Sequence, residues 1–318
     1  MKAPRRSVAL ALMVAAPVLW SSAGVVTRHI ERASAFEQVF WRSLFACAFV
    51  AAALSVLQRR TPFRALRAAG WPGLFSGAMW AVMFTAFVLA LSLTTTANTL
   101  VTMSISPLLT VILARILLSD PVPARTWFAA CAAAAGIAWM FGEGFSARDS
   151  GQVAGMLVAF LVPMAAAANV IVLRASAARV DLVPAVMLGG ALSCLVALPL
   201  ALPFSASSRD ILLLALLGVF QLGLPCMLLV LASRALLAPE LALLGLLEVV
   251  LGPLWAWLGA GEVPGPATLA GGAIVLGALA GNELAALSRS SRRRASGAGS
   301  PGTSSWDGKP RGRTPMGK

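Results

Sequence analysis

The feature that most constrains this chain is a succession of apolar runs, each about as long as a helix must be to cross a membrane, parted by short charged, Pro or Gly breaks. A roughly 30 Å hydrocarbon core takes about 20 helical residues. Reading runs against breaks predicts ten spans, at 8–27, 36–57, 71–93, 97–118, 125–141, 152–173, 182–203, 211–232, 236–258 and 266–285. Composition points the same way: of 318 residues, 59% are hydrophobic and 12% charged, where a soluble domain carries about 25% charged residues. The expected fold class is an all-α integral membrane protein of ten transmembrane helices. The breaks SDPVPA (119–124) and GEVPGP (261–266) separate spans four from five and nine from ten; helices tolerate Pro at their starts but not in mid-run.

A net charge of +13 invites a nucleic-acid reading, but the placement of the charges argues against it. Arg289, Arg292, Arg293, Arg294, Lys309, Arg311, Arg313 and Lys318 lie at the end of the chain, and most other basic residues sit in short loops. With the N-terminus inside, the inner loops hold Lys2, Arg5, Arg6, Arg59, Arg60, Arg64, Arg67, Arg125, Arg174, Arg179 and Arg234, against Arg28, Arg32, Arg148 and Arg209 outside. The positive-inside rule then puts both termini in the cytoplasm of a bacterial-type inner membrane. Lys2, Arg5 and Arg6 before 8–20 and Ser21-Ser22-Ala23-Gly24 have the order of a signal peptide. Nine further spans follow with no sizeable exported domain, so the first run reads as an uncleaved span.

Cys47, Cys131, Cys194 and Cys226 fall inside apolar runs without metal-ligand spacing, and His29 is the one histidine. No disulfide framework, metal site, cofactor or Ser-His-Asp triad is expected, and no cluster of His, Asp and Glu suggests an enzyme. Residues 288–318, rich in Ser, Gly, Pro and Arg, read as a disordered basic cytoplasmic tail, whose partner is anionic lipid or water alone.

The outer loop 142–150 (GEGFSARDS) divides the spans five and five, so the halves must run in opposite orientation. Four units are expected: a first five-helix repeat over 1–141, the linker 142–150, a second repeat over 151–287, and the tail 288–318. Span four ends in Leu117-Leu118-Ser119-Asp120-Pro121 and span nine in Gly259-Ala260-Gly261-Glu262-Val263, each before a short span rich in small residues. Identity between the halves is low, so the inverted repeat rests on architecture, a recurring design of secondary transporters.

The chain resembles the drug/metabolite transporter superfamily, specifically its ten-span EamA-type members. The carrying residues are Leu19-Trp20-Ser21-Ser22-Ala23, Phe40-Trp41-Arg42-Ser43-Leu44, Ser106-Pro107-Leu108-Leu109 with Asp120, and Leu247-Glu248-Val249 through Pro253-Leu254-Trp255-Ala256-Trp257 to Glu262. The resemblance implies a transporter of a small metabolite such as an amino acid or amine-like solute, acting outward by alternating access. An uncoupled facilitative transporter is the alternative within the class, and a membrane-embedded lipid-handling protein or enzyme is the alternative outside it.

Glu248, 12 residues into span nine, falls roughly 18 Å from the cytoplasmic end, near the middle of the bilayer. A carboxylate there either faces a cavity, where it can carry substrate or protons, or locks packing through an ion pair or hydrogen bond. Arg42 lies roughly 9 Å into span two from the outside. It can pair with Glu248, hold a substrate carboxylate through its planar fork, or snorkel to the interface. Asn98, Asn169 and Gln221 can read a zwitterionic substrate or tie helices together. Pro107, Pro163 and Pro225 can kink their spans and free carbonyls beside a cavity, acting as hinges. Trp20 and Trp41, with Trp80, are candidates for an aromatic lining, whereas Trp71, Trp127 and Trp139 read as interface anchors. Gly73/Gly77, Gly151/Gly155 and Gly277/Gly281 have GxxxG spacing and read as close helix packing.

Overall fold

Serines, glycines and prolines decide where each apolar run of this chain becomes one helix and where it becomes two. The computed structural model describes residues 4–58, 61–118, 150–176, 180–236 and 238–297, with isolated positions between 124 and 139. Among these residues every regular element is a helix.

The first run divides into α1 (Arg6–Trp20) and α2 (Ser22–Thr27). Pro17 lies inside α1, and the Ser21 and Ser22 hydroxyls donate to the Val18 and Leu19 carbonyls, both at 2.7 Å; such back-bonding bends helices. Next come α3 (Ala35–Gln58) and α4 (Pro62–Leu93). Gly70 interrupts α4 at φ 56°, a left-handed conformation that suits glycine best. The membrane-crossing part therefore starts at Trp71, where the expected third span begins.

The fourth run is α5 (Thr96–Met103) and α6 (Ser106–Leu118). Pro107 thus stands in the first turn of α6, where its missing N–H is unpaired in any case; the chain breaks before it instead of kinking through it. Then follow α7 (Ser150–Ser176), with Pro163 inside, and α8 (Val183–Ala201). The eighth run comprises α9 (Ser208–Leu216), a π-helical segment (Leu217–Gly223) and α10 (Leu224–Ala232). The last elements are α11 (Ala238–Ala260) and α12 (Pro266–Gly297). Gly261, at φ 69°, stops α11, the usual glycine solution at a helix C-terminus.

Seven helical stretches are long and apolar enough to cross a membrane: 6–27, 35–56, 62–93, 96–117, 151–173, 183–201 and 208–232. Two shorter apolar stretches, Leu247–Ala260 and Pro266–Asn282, fall largely within expected spans nine and ten. Expected span five is described only at scattered positions, all of them helical.

Residues up to Glu283 form one compact unit. In it α4 packs on α7 and α8, α3 on α8 and the π segment, α1 on α10 and α11, α6 on α7, and α5 on both α7 and α11. Gly77 lies against Leu188 and Gly155 against Leu93 and Thr94, the close approach expected of small residues. Gly277 and Gly281 differ, since no described atom lies within 4 Å of where their Cβ atoms would be. A second unit begins at Leu284. There α12 is helical through residue 297, within the first part of the expected tail; Ala, Leu and Arg favour helix. Residues 298–318 lie outside the described residues.

Candidate functional site

Arg42 follows from the register of α3, where positions 42, 46 and 50 share one face and Ala46 and Val50 are buried in the core. Its side chain is 2% exposed, so it does not snorkel. Nη1 donates to Gln221 Oε1 at 3.1 Å and Nη2 to the Phe84 carbonyl at 2.8 Å. The guanidinium lies 5.6 Å from the centre of the Phe87 ring, within cation–π range. Nε has no hydrogen-bond partner, and no carboxylate pairs with Arg42 among the described residues. The site therefore holds a buried cation with two neutral acceptors and one idle donor.

Gln221 reaches Arg42 because its helix widens locally into the π form. Pro225, buried and just inside α10, cannot donate to the carbonyl four residues back and would clash with it. The π segment immediately before it absorbs the misfit, with the Leu224 N–H donating to the Val219 carbonyl. Single π turns inside α-helices recur at functional sites. Gly218 lets this segment approach α3: a Cβ there would stand 2.5 Å from the Arg42 carbonyl and 2.6 Å from Phe45 Cβ.

Glu248 lies on the face of α11 that also carries Gly252 and Gly245. Gly252 abuts Leu100, whereas no described atom lies within 4 Å of where a Cβ on Gly245 would be. Glu248 is half-buried and forms no hydrogen bond or ion pair among the described residues. Arg42 and Glu248 are thus not partners. Cys226, one residue after Pro225, is 1% exposed. Trp20 packs on the cluster formed by Ala46, Trp80, Phe84, Leu222 and Cys226, which makes this wall of the site aromatic.

Other expected residues lie elsewhere. Asn98 lies in the first turn of α5, where its N–H donates to the capping Thr95 Oγ1 (3.1 Å) and its amide to Thr94 Oγ1 (3.1 Å), and its Oδ1 accepts from the Thr268 hydroxyl at 2.6 Å. Asn169, 2% exposed, accepts from the Ser76 hydroxyl at 2.6 Å and ties α7 to α4. Trp41 packs among Phe40, Phe45 and Phe204, in a cluster with Ala33, Leu214 and Leu217. Pro163 is buried in mid-helix. Trp71, Trp127 and Trp139 are exposed. Of the candidates, the structure brings Arg42 to Gln221 and to Phe84 of the cluster on which Trp20 packs, while no hydrogen bond or ion pair joins Glu248 to them among the described residues. Sequence reasoning alone misses Cys226 as one more apolar position; its place one residue after Pro225 and five after Gln221 is the available signal.

Seven helices long and apolar enough to cross a membrane make this the fold of a polytopic membrane protein. Residues 7–142 match the EamA-like transporter family, and the match supports a membrane transporter of the drug/metabolite superfamily. One solved protein structure resembles 87% of this chain over 98% of its own length, with a TM-score of 0.63 and 19% identity; the likeness is one of fold. No curated protein matches the chain.

Proposed function

We propose that this chain is a secondary transporter that exports a small metabolite, such as an amino acid or amine-like solute, by alternating access across a bacterial-type inner membrane. The observation that carries the reading is that Arg42 and Glu248, opposite charges within apolar helices of one compact unit, are not each other's partners: Arg42 bonds to the neutral Gln221 and Phe84 acceptors and keeps Nε unbonded. A solute bearing both a cationic and an anionic group would satisfy each of them. Arg42 would hold the anionic group through its bidentate fork, and Trp20 would pack against the solute's apolar part. Glu248 would hold the amine or, when no solute is bound, a proton, so that solute and proton compete for one carboxylate.

Helix packing supports an inverted repeat. Exchanging the runs of α1/α2 with α7, α3 with α8, α4 with α9/α10, and α5/α6 with α11 turns the pairing of α4 on α7 into that of α10 on α1. The same exchange turns α4 on α8 into α3 on the π segment, and α6 on α7 into α1 on α11. Rocking of one half against the other about such an axis is the usual motion of transporters built this way. The expected ten spans and cytoplasmic termini belong to this reading, as does a bracing role for spans five and ten, where Gly136 lies against Gly271 and Val275.

The test compares extracellular metabolites from cells expressing the wild type, Glu248→Gln or an empty vector, at matched membrane levels. A solute exported by the wild type and lost in Glu248→Gln is the expected result. Export that persists unchanged in Glu248→Gln makes the carboxylate structural and leaves facilitated, uncoupled transport; no change in any solute with the wild type removes the exporter reading.

A further inference from the structure

One mouth of the bundle is crossed by residues 28–34, the link between α2 and α3, and its two ends are held by different chemistry. On the side of the link between α8 and α9, Asp210 has no exposed surface. It accepts from the backbone N–H groups of Glu31 and Arg32, both at 3.1 Å, and of Ser207 at 3.0 Å. Glu37, equally buried at the start of α3, accepts from the N–H groups of Ser205 (3.0 Å) and Ala206 (2.8 Å). The Ser205 hydroxyl lies 2.9 Å from both the Glu37 carboxylate and the Arg32 carbonyl.

On the other side, Arg28 Nε donates to Glu262 Oε2 at 2.8 Å and Nη2 to the Thr94 carbonyl at 3.0 Å. Glu262 also accepts from the Thr96 N–H and, at 3.0 Å, from the Thr96 hydroxyl. The Arg28 side chain is 33% exposed and that of Glu262 14%.

These two attachments are not equally easy to break. Parting Asp210 or Glu37 from their N–H donors leaves a buried charge unpaired and dry. Parting Arg28 from Glu262 exchanges a partly hydrated ion pair for water, and Glu262 keeps Thr96. Beneath the pair, α2 meets its neighbours through glycines, Gly24 against Thr96 and Val25 against Gly259, a smooth contact that lets surfaces slide. We propose that residues 28–34 are a strap over this mouth, fastened permanently through Glu37 and Asp210 and released at the Arg28–Glu262 pair. The transport reading supplies the reason for a mouth to open, but the strap is tested without measuring flux.

Cys226 serves as a native reporter inside the bundle. With Cys47, Cys131 and Cys194 replaced by Ser, membrane vesicles of both orientations are treated with a membrane-impermeant maleimide; a parallel protein carrying His29→Cys, at an exposed position, identifies the vesicles that present this face. Glu262→Gln and Arg28→Gln are each expected to raise Cys226 labelling from that face roughly five-fold. Arg28→Lys, which keeps a cation opposite Glu262, is expected to stay near the parental rate. Because the amide introduced by Glu262→Gln still accepts from Thr96, folding is retained, and thermal midpoints of the purified variants verify it. Unchanged labelling in both single variants, or an equal rise from the opposite face, overturns the proposal. Either result leaves the export test above standing on its own.

Discussion

A guanidinium removed from water costs several kcal/mol unless its charge and donors are matched. Arg42 has neutral acceptors for two nitrogens, an aromatic face and an idle Nε, so its burial carries a cost in stability, and the proposed function gives it an anionic partner. Replacing the pair together, Arg42→Met with Gln221→Leu, is expected to leave unfolding stability in mixed micelles within about 1 kcal/mol of the wild type while abolishing flux. Arg42→Ala alone, which strands Gln221 and opens a cavity, is expected to lose about 2–4 kcal/mol in the same measurement. Arg42, Gln221 and Glu248 are each legible in the sequence, because a polar side chain inside an apolar run is conspicuous. Their relations are not: Arg42 and Gln221 stand 179 residues apart, and nothing in either run says which helix it will face. The pairing of Arg42 with Glu248 that the sequence offers is replaced, at Arg42, by a neutral amide and a backbone carbonyl.

At the scale of elements, prolines that look alike in sequence behave in three ways. Pro107 opens a new helix, Pro163 stays within one, and Pro225 stands behind a π segment. The difference lies in the preceding turn. Ser104 and the chain break before Pro107 leave no helix to disrupt, whereas the run leading to Pro225 is continuous and must take up the missing hydrogen bond. Restoring the donor with Pro225→Ala allows bonding to the Gln221 carbonyl four residues back, which converts the π turn to α and turns Gln221 by about 100° away from Arg42. Transport in vesicles is expected to fall roughly ten-fold, the ~1.4 kcal/mol of one broken charge-assisted contact. Combining Pro225→Ala with Gln221→Leu is expected to cost no more than either alone, since both remove the same contact. Span three shows the opposite case, an element boundary readable from sequence, because Gly70 and Pro72 both disfavour a continuous helix at the expected start.

Across the whole molecule, charge and packing divide the work. Eleven basic residues in the expected inner loops against four outside set a direction of insertion that no tertiary contact needs to supply. Reporter fusions after residue 297 and at the N-terminus are expected to report the same, cytoplasmic, side; opposite sides would remove one span from the count. Seven long helices and two shorter apolar ones are foreseeable as runs, since helix length follows from the thickness to be crossed. How the runs pair is not foreseeable, because hydrocarbon surrounds every apolar face equally and selects no partner. Helix class, approximate span limits and the polar residues worth watching come from local composition, because the backbone must satisfy itself within each run. The tertiary structure alone decides that Arg42 faces Gln221 and not Glu248, and that Glu37, Asp210 and Glu262 hold the link between α2 and α3 and its neighbours. Those relations depend on close approach between residues far apart in the chain, at glycines such as Gly218 and Gly252 whose partners no local pattern specifies.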